Sequence, residues 1–207
     1  MAGYEAWYET TDQQIDQREK TLLKWLLECF HRVKTILEVG CGTGHFTRWF
    51  SELGLQATGL DLSRPMLEEA KSLGDSVWLQ GDALMLPFLS ESIDLVALIT
   101  TLEFLSDPGQ ALIEASRVAR QGIVLGVLNA KSRLGREYRR EGGPIWRTAR
   151  FFTPDDLKRM ILEVIDRRIS IVWRTTLWPL WPDALPLPWG GFIGMAVKFI
   201  DVHVDEK

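Results

Sequence analysis

The apolar run TILEV (35–39) ends on Gly40, and glycine recurs at Gly42 and Gly44 before the helix-period segment HFTRWFSEL (45–53) begins. No other stretch restricts the fold as much. Glycine lacks a Cβ, so a GCGTG turn lets the backbone bend sharply and approach a neighbour or a ligand closely. A short buried strand that runs through such a turn into a helix is the first half of a βαβ unit, which implies a parallel sheet. The helix behind the turn offers free N–H groups to a carboxylate or phosphate.

The same alternation continues along the chain. QATGLD (56–61) reads as a second strand. Ser63 and Pro65 open a helix, PMLEEAKSL, that Gly74 closes. VWLQ (77–80) and IDLVALI (93–99) are a third and fourth strand. Asp107-Pro108 opens a helix to about Ala119, and GIVLGVLN (122–129) is a fifth strand. Strands this continuously apolar are covered on both faces. Before them, residues 11–30 read as a helix with Ile15, Leu22, Leu23, Leu26, Leu27 and Phe30 on one face, and Thr11 with Gln14 as a capping box. The expected class is α/β, a mostly parallel sheet with helices on both faces.

The last third differs. Residues 131–150 carry seven basic and two acidic side chains with no clear period. Thr153-Pro154-Asp155-Asp156 caps a helix to about Val164, and 167–176 and 192–202 read as two more strands. Between these lies a loop rich in tryptophan and proline, 177–191. With no internal repeat and no linker composition, the expectation is a single domain over 1–207: an N-terminal lid and helix (1–30), a basic insert (131–152) and the Trp/Pro loop (177–191).

Composition excludes several classes. A net charge of -4 gives no overall drive toward nucleic acid or an anionic surface. The two cysteines, Cys29 and Cys41, lack CxxC spacing, which argues against a disulfide framework or a zinc site and fits a reducing compartment. MAGYEAWYETTDQQ is not basic and not continuously apolar, and no apolar run approaches the roughly 18–20 residues of a membrane span. A cytoplasmic protein with no integral membrane segment and no metal is expected.

A sheet of this kind binds ligands beyond the carboxyl ends of its strands, where strand order reverses. The spacing here is GxGxG, not the dinucleotide GxGxxG, and His45 follows Gly44. Asp61 ends the second strand, where a carboxylate can accept both hydroxyls of a ribose. Asp82 follows the third, where it can reach the exocyclic amine of an adenine. A nucleoside with a small charged tail would fill that crevice.

LEVGCGTG, GLDLSRPML, GDALMLPF and SIDLVALITTLEFLSDP, in this order and spacing, resemble the four motifs of class I S-adenosylmethionine (SAM)-dependent methyltransferases of the small-molecule "type 11" kind, similar to those of ubiquinone and menaquinone biosynthesis. The likeness covers about residues 1–130, and the terminal helix and last strands agree with the family's ending. It implies a Rossmann-like sheet of seven strands whose last strand is antiparallel, with SAM as cofactor and S-adenosylhomocysteine (SAH) as product. Glu38 and Gly40 would lie near the methionine end, Gly42 and Gly44 behind the ribose and tail, with Cys41 as loop filler. Leu62 and Met66 would flank the adenine. Gly81, Asp82 and Ala83 would meet its edge, and Ile99 and Thr100 would lie near the sulfonium.

For the acceptor the residues say less. None of the three histidines, His31, His45 and His203, sits just after the fourth strand, where many family members carry one. An acceptor that needs little deprotonation fits: a thiolate, an amine or a carboxylate. Tyr4, Tyr8 and Glu103 are the candidate polar partners. Tyr4, Trp7 and Tyr8 would close over the pocket, and Trp178, Trp181 and Trp189 offer flat apolar faces to an apolar or aromatic acceptor, or to a second copy of the chain. The basic insert is a solvated face or a wall for an acidic ligand. The Asn/Asp-Pro-Pro-aromatic motif of nucleic-acid amino-methylating members is replaced by Ile99-Thr100-Thr101-Leu102. Two other classes stay open: a non-enzymatic SAM-binding module and an NAD-dependent oxidoreductase.

Overall fold

The computed structural model describes residues 13–141, 146, 148–177 and 184–200. Seven strands form one sheet: β1 (Thr35–Val39), β2 (Gln56–Asp61), β3 (Val77–Gln80), β4 (Ile93–Ile99), β5 (Ala119–Leu128), β6 (Ile169–Thr176) and β7 (Phe192–Phe199). Their order is β3-β2-β1-β4-β5-β7-β6. β1 pairs in parallel with both β2 and β4. β7 runs antiparallel between β5 and β6. The fold is thus the expected Rossmann-like one with its last strand antiparallel. The chain winds one way from β1 to β3 and the other way from β4 onward, so the strand order reverses between β1 and β4.

Among the described residues six helices flank the sheet: α1 (Gln13–Leu27), α2 (His45–Glu52), α3 (Arg64–Leu73), α4 (Pro108–Val118), α5 (Arg133–Glu141) and α6 (Pro154–Val164). On one face Leu22, Leu23 and Leu26 of α1, with Phe46 and Phe50 of α2, pack on Ile36, Leu95, Ala97, Val124, Phe192 and Ala196. Gly194 makes the α1 contact close, since a Cβ there would lie 2.8 Å from Leu22 and Leu26 carbons. On the other face Leu112 and Ala115 of α4, with Leu157 and Ile161 of α6, pack on Val96, Leu98, Ile123, Leu125, Ile193 and Met195. Each fully buried leucine or isoleucine contributes about 1.5–3 kcal/mol, so both faces hold.

Local chemistry sets the helix starts. Thr153 Oγ1 accepts the Asp156 N–H at 3.2 Å while Asp156 returns a bond to the Thr153 N–H at 3.0 Å, the expected cap of α6. Asp107 accepts the Gln110 N–H at 2.9 Å and opens α4.

Three boundaries depart from the sequence expectation. The first helix stops at Leu27 rather than continuing to residue 30. β5 starts at Ala119, three residues early, because Ala119 already pairs with Ile93 across a register shift. The segment without clear period contains α5, whose arginines stand on one side and whose Leu134 and Tyr138 are half-buried on the other. Among the described residues no helix is long and apolar enough to cross a membrane. Thr11, Tyr4, Trp7, Tyr8, Trp178, Trp181 and His203, named from the sequence, lie outside the described residues.

Candidate active site

The turn after β1 is held by backbone geometry. Gly40, Gly42 and Gly44 all have positive φ, at 74°, 53° and 80°. The Gly40 and Cys41 N–H groups both donate to Leu60 O, at 2.7 and 3.0 Å, which ties the turn to the end of β2. A Cβ on Gly40 would strike the Thr101 side chain, and one on Gly44 would lie 2.0 Å from the Trp78 ring. Trp78 was not singled out from the sequence. Its indole donates to Gly74 O at 3.2 Å and packs under both Gly44 and Gly59. A tryptophan in a half-exposed third strand, opposite two glycines in neighbouring segments, was the available signal.

Asp61 is the acid at the centre. Its Oδ2 accepts the Gly42 N–H and its Oδ1 the Ser63 N–H, both at 2.8 Å. Two backbone donors fix the carboxylate's direction and leave its remaining lone pairs for a ligand. It faces a cavity of about 370 Å³ lined by Gly40 and Gly42 on one side, Leu62 and Met66 on another, and Gly81 to Ala83 at the far edge. That volume lies in the range of small-molecule sites, about 300–1,000 Å³. Leu62, 68% exposed, and Met66 present apolar surface to this space. Asp82 Oδ1 accepts the Leu84 N–H at 2.9 Å, an Asx-type turn that holds the edge in place.

Thr100 closes the cavity's other end in a left-handed conformation, φ 49°. A non-glycine residue there costs on the order of 1–3 kcal/mol, and such strain concentrates at functional sites. Its N–H donates to Gly126 O at 2.7 Å. Thr101 Oγ1 reaches Val39 O and Ile99 O, each at 3.0 Å, so the Ile99 carbonyl is already engaged.

Of the residues expected around a cofactor, Gly40, Gly42, Asp61, Leu62, Met66, Gly81, Asp82, Ala83 and Thr100 line one cavity. Cys41, Gly44, Ile99 and Glu38 stand behind its wall. Cys41 is buried, and burial pushes its thiol well above the ordinary range. Glu38 is buried beneath the turn and accepts the Thr47 hydroxyl of α2. Burial pushes Glu38 up to about 8, against the pull of that hydrogen bond.

Glu103 lies in the short 3-10 turn Leu102–Phe104 after β4 and is 1% exposed. Its Oε1 accepts the Leu128 N–H at 2.7 Å. Burial raises it to about 7, partly offset by backbone hydrogen bonds. The next residue, Phe104, lines the cavity and begins an aromatic cluster. Phe104 and Trp146 lie 6.0 Å apart, Tyr138 stacks on Trp146 at 4.5 Å and 2°, and Phe151 follows at 6.2 Å. Neither Tyr138 nor Trp146 was picked out, because the period of α5 is hidden by its charge. Beside it, α5 and α1 flank a polar groove of about 590 Å³ with Arg18, Lys131, Arg133 and Arg136 on its walls, and Trp189 at its rim.

Among the described residues no group of three His, Cys, Asp or Glu side chains is placed to hold a metal ion.

The sequence model of the Methyltransferase domain family named Methyltransf_11 matches residues 37–126, from β1 through most of β5. Over these residues, less than half of its length, the chain is similar to the SAM-dependent methyltransferases of this type. It is 33% identical over 181 residues to an uncharacterized protein of Mycobacterium tuberculosis, covering 82% of this chain and 61% of that one. It is 34% identical over 116 residues to the malonyl-[acyl-carrier protein] O-methyltransferase of Pseudescherichia vulneris, covering 56% of this chain and 45% of that one. The chain therefore spans less than two thirds of these curated relatives. A Thermotoga maritima SAM-dependent methyltransferase, described as a possible histamine N-methyltransferase, superposes with a TM-score of 0.75 at 25% identity over 95% of this chain and 94% of that one. Magnesium protoporphyrin IX methyltransferase of Synechocystis PCC 6803, solved with bound SAH, shares the fold with a TM-score of 0.69 at 14% identity over 96% and 95%.

The cavity fits this family's cofactor. Glycines at positive φ line the space where a Cβ would crowd the turn, a fixed carboxylate stands where a ribose needs acceptors, and Leu62 and Met66 offer flat apolar walls.

Proposed function

We propose that this chain transfers the methyl group of SAM to a small-molecule acceptor with a flat apolar body. Asp61 would take the ribose hydroxyls, Leu62 and Met66 the adenine faces, Asp82 and Ala83 the adenine edge, and Gly40 and Gly42 would let the backbone approach the tail. When bound, SAM supplies an electrophilic methyl on a sulfonium. The chain's share is orientation. Holding a nucleophile in line with that methyl is worth roughly 7–11 kcal/mol, enough to dominate the rate for an acceptor that arrives with an available lone pair.

The observation that carries the acceptor class is the aromatic wall. Phe104 lines the cavity and leads into an aromatic cluster in which Trp146 meets it at 38°, Tyr138 stacks on Trp146 and Phe151 tilts against Trp146. Such a surface receives a ring or a planar apolar group. The similar proteins carry names with different acceptors: a possible histamine methyltransferase, a malonyl-carrier methyltransferase and a porphyrin methyltransferase. The fold therefore does not choose the acceptor, and residues outside the cofactor half must do so. The free thiols Cys29 and Cys41 fit a reducing, cytoplasmic setting.

The test is SAH formation from SAM with mixed aromatic amines, thiols, phenols and carboxylates. Turnover with at least one planar acceptor is expected. SAH binding without turnover on any of them would instead mark a SAM-binding module.

A further inference from the structure

Among the described residues only two buried side-chain polar atoms have no hydrogen-bond partner, Thr43 Oγ1 and Glu103 Oε2. Both lie at the carboxyl edge of the sheet, one in the glycine turn and one in the turn after β4. An orphan of this kind costs free energy in a folded protein and calls for an explanation, such as a ligand or a catalytic role. For Glu103 the cost stands in either protonation state. As a carboxylate its Oε2 meets no donor, and as a carboxylic acid it meets no acceptor.

A second glutamate makes the cost worse. Glu19 of α1 is 4% exposed, and the charge of Glu103 reaches it, as does that of Asp16. Against these acids stands Lys20, which is engaged with Asp16 at 2.8 Å. The N-terminal half of α1 is fixed over this edge of the sheet by Asp16 and His45, 2.6 Å apart. Glu103 thus carries its free oxygen within the segment whose Thr101, Phe104 and Leu105 line the cavity, and the charge of Glu19 lies within its reach.

We infer that Glu103 Oε2 is the binding point for the acceptor's nitrogen and that the acceptor is an amine carrying an aromatic group. This inference rests on the methyl-transfer reading above. An ammonium supplies the donor that Glu103 lacks, its charge answers both Glu103 and Glu19, and its ring lies along Phe104 and Trp146. The position also suits the chemistry. An ammonium has no lone pair, so it passes one N–H proton to Glu103 Oε2, leaving a neutral amine and a neutral carboxyl. The nitrogen lone pair then takes the methyl carbon as the carbon–sulfur bond breaks and sulfur keeps the bonding pair.

The experiment is calorimetry on the SAH-saturated protein, with phenethylamine, 2-phenylethanol and phenylacetate as probes of one ring and three charges. Phenethylamine binds, the alcohol binds more weakly, and the carboxylate does not bind. Glu103→Gln weakens phenethylamine by about tenfold or more, as for loss of a charged hydrogen bond. Glu19→Gln weakens it less, and both variants keep wild-type SAH affinity, which shows that they are folded. Phenylacetate binding as well as the amine, wild-type amine affinity in Glu103→Gln, or no binding of phenethylamine each overturns the inference. Failure of SAH to bind wild-type protein would instead overturn the reading of the cofactor cavity.

Discussion

Two acids stand at the carboxyl edge of the sheet, and they are held differently. On the β2–β1 side, Asp61 has each oxygen fixed by a backbone N–H, from Gly42 of the turn after β1 and from Ser63 two residues on. On the β4–β5 side, Glu103 is fixed by one oxygen only, through the Leu128 N–H of a strand 25 residues away. The first arrangement satisfies both carboxylate oxygens with backbone donors. The second is assembled from the turn after β4, the end of β5 and helix α1, and it leaves an oxygen unsatisfied. The cofactor half is thus a cradle whose acid has both oxygens met by backbone donors, whereas the acceptor half leaves one oxygen of its acid unmet.

The sharpest way to break the comparison is to damage the cradle. Gly44→Ala places a Cβ in the left-handed region and 2.0 Å from the Trp78 ring, which its bond to Gly74 O holds in place. Overpacking costs about 1–3 kcal/mol and backbone strain about 1–3 kcal/mol. Urea titration should show a loss of roughly 2–6 kcal/mol, with SAH binding lost in whatever remains folded. A mild effect would mean that Trp78 swings away and that the cradle is softer than it looks.

On the acceptor side the opposite sign is expected. Burial, with the charges of Asp16 and Glu103 adding to it, pushes Glu19 from 4.5 up to about 8. Between those two values the folded chain keeps a proton that the unfolded chain has released. The unfolded state then binds fewer protons, so Glu19 makes stability fall as pH rises across the window. Glu19→Gln removes this cost. It should stabilise the protein by roughly 1–3 kcal/mol at pH 8, the scale of taking a polar group out of water, with little gain at pH 4.5. Melting curves at the two pH values check this. Equal effects at both would mean that Glu19 has a partner that satisfies its charge.

The link between the halves should matter least. Asp16 joins α1 to His45 at the start of α2, and each side chain is 19% exposed. Burial alone would raise Asp16, but hydrogen bonds from His45 and Lys20 outweigh it and hold its carboxyl below the ordinary value. Asp16→Asn should cost about 0.5–1 kcal/mol, near the upper end for partly exposed ion pairs. Acceptor affinity should fall with little change in SAH affinity. An equal loss of both would show that α1 also braces the cradle.

The sequence was legible where structure is local. The strand runs and the Thr153–Asp156 cap rest on near neighbours, the glycine turn is marked by its own residue types although its bonds run to Leu60 and Asp61, and nine of the residues expected at the cofactor line one cavity. Where partners lie far apart in the chain, spacing is silent. Nothing in the turn after β4 shows that Glu103 would be buried and bonded to Leu128, and Glu19, although it stands on the apolar stripe of α1 between Ile15 and Leu22, is a residue type that is mostly exposed. The basic segment hid α5 for a related reason. Its four arginines dilute the apolar period, and Tyr138 finds its stacking partner in Trp146 only through the tertiary fold. Trp78 belongs with these, since its role is to fill space beneath two glycines of other segments.

The central claim is that the Asp61 cavity is a SAM site. Its most direct test is calorimetric titration of wild type and Asp61→Ala with SAH and with NAD. We expect one SAH site on the order of micromolar in wild type. Loss of a charged hydrogen bond in Asp61→Ala should weaken it by about 1.5–3 kcal/mol, with no NAD binding in either protein. Binding of NAD in place of SAH, or full SAH affinity in a folded Asp61→Ala, would contradict it.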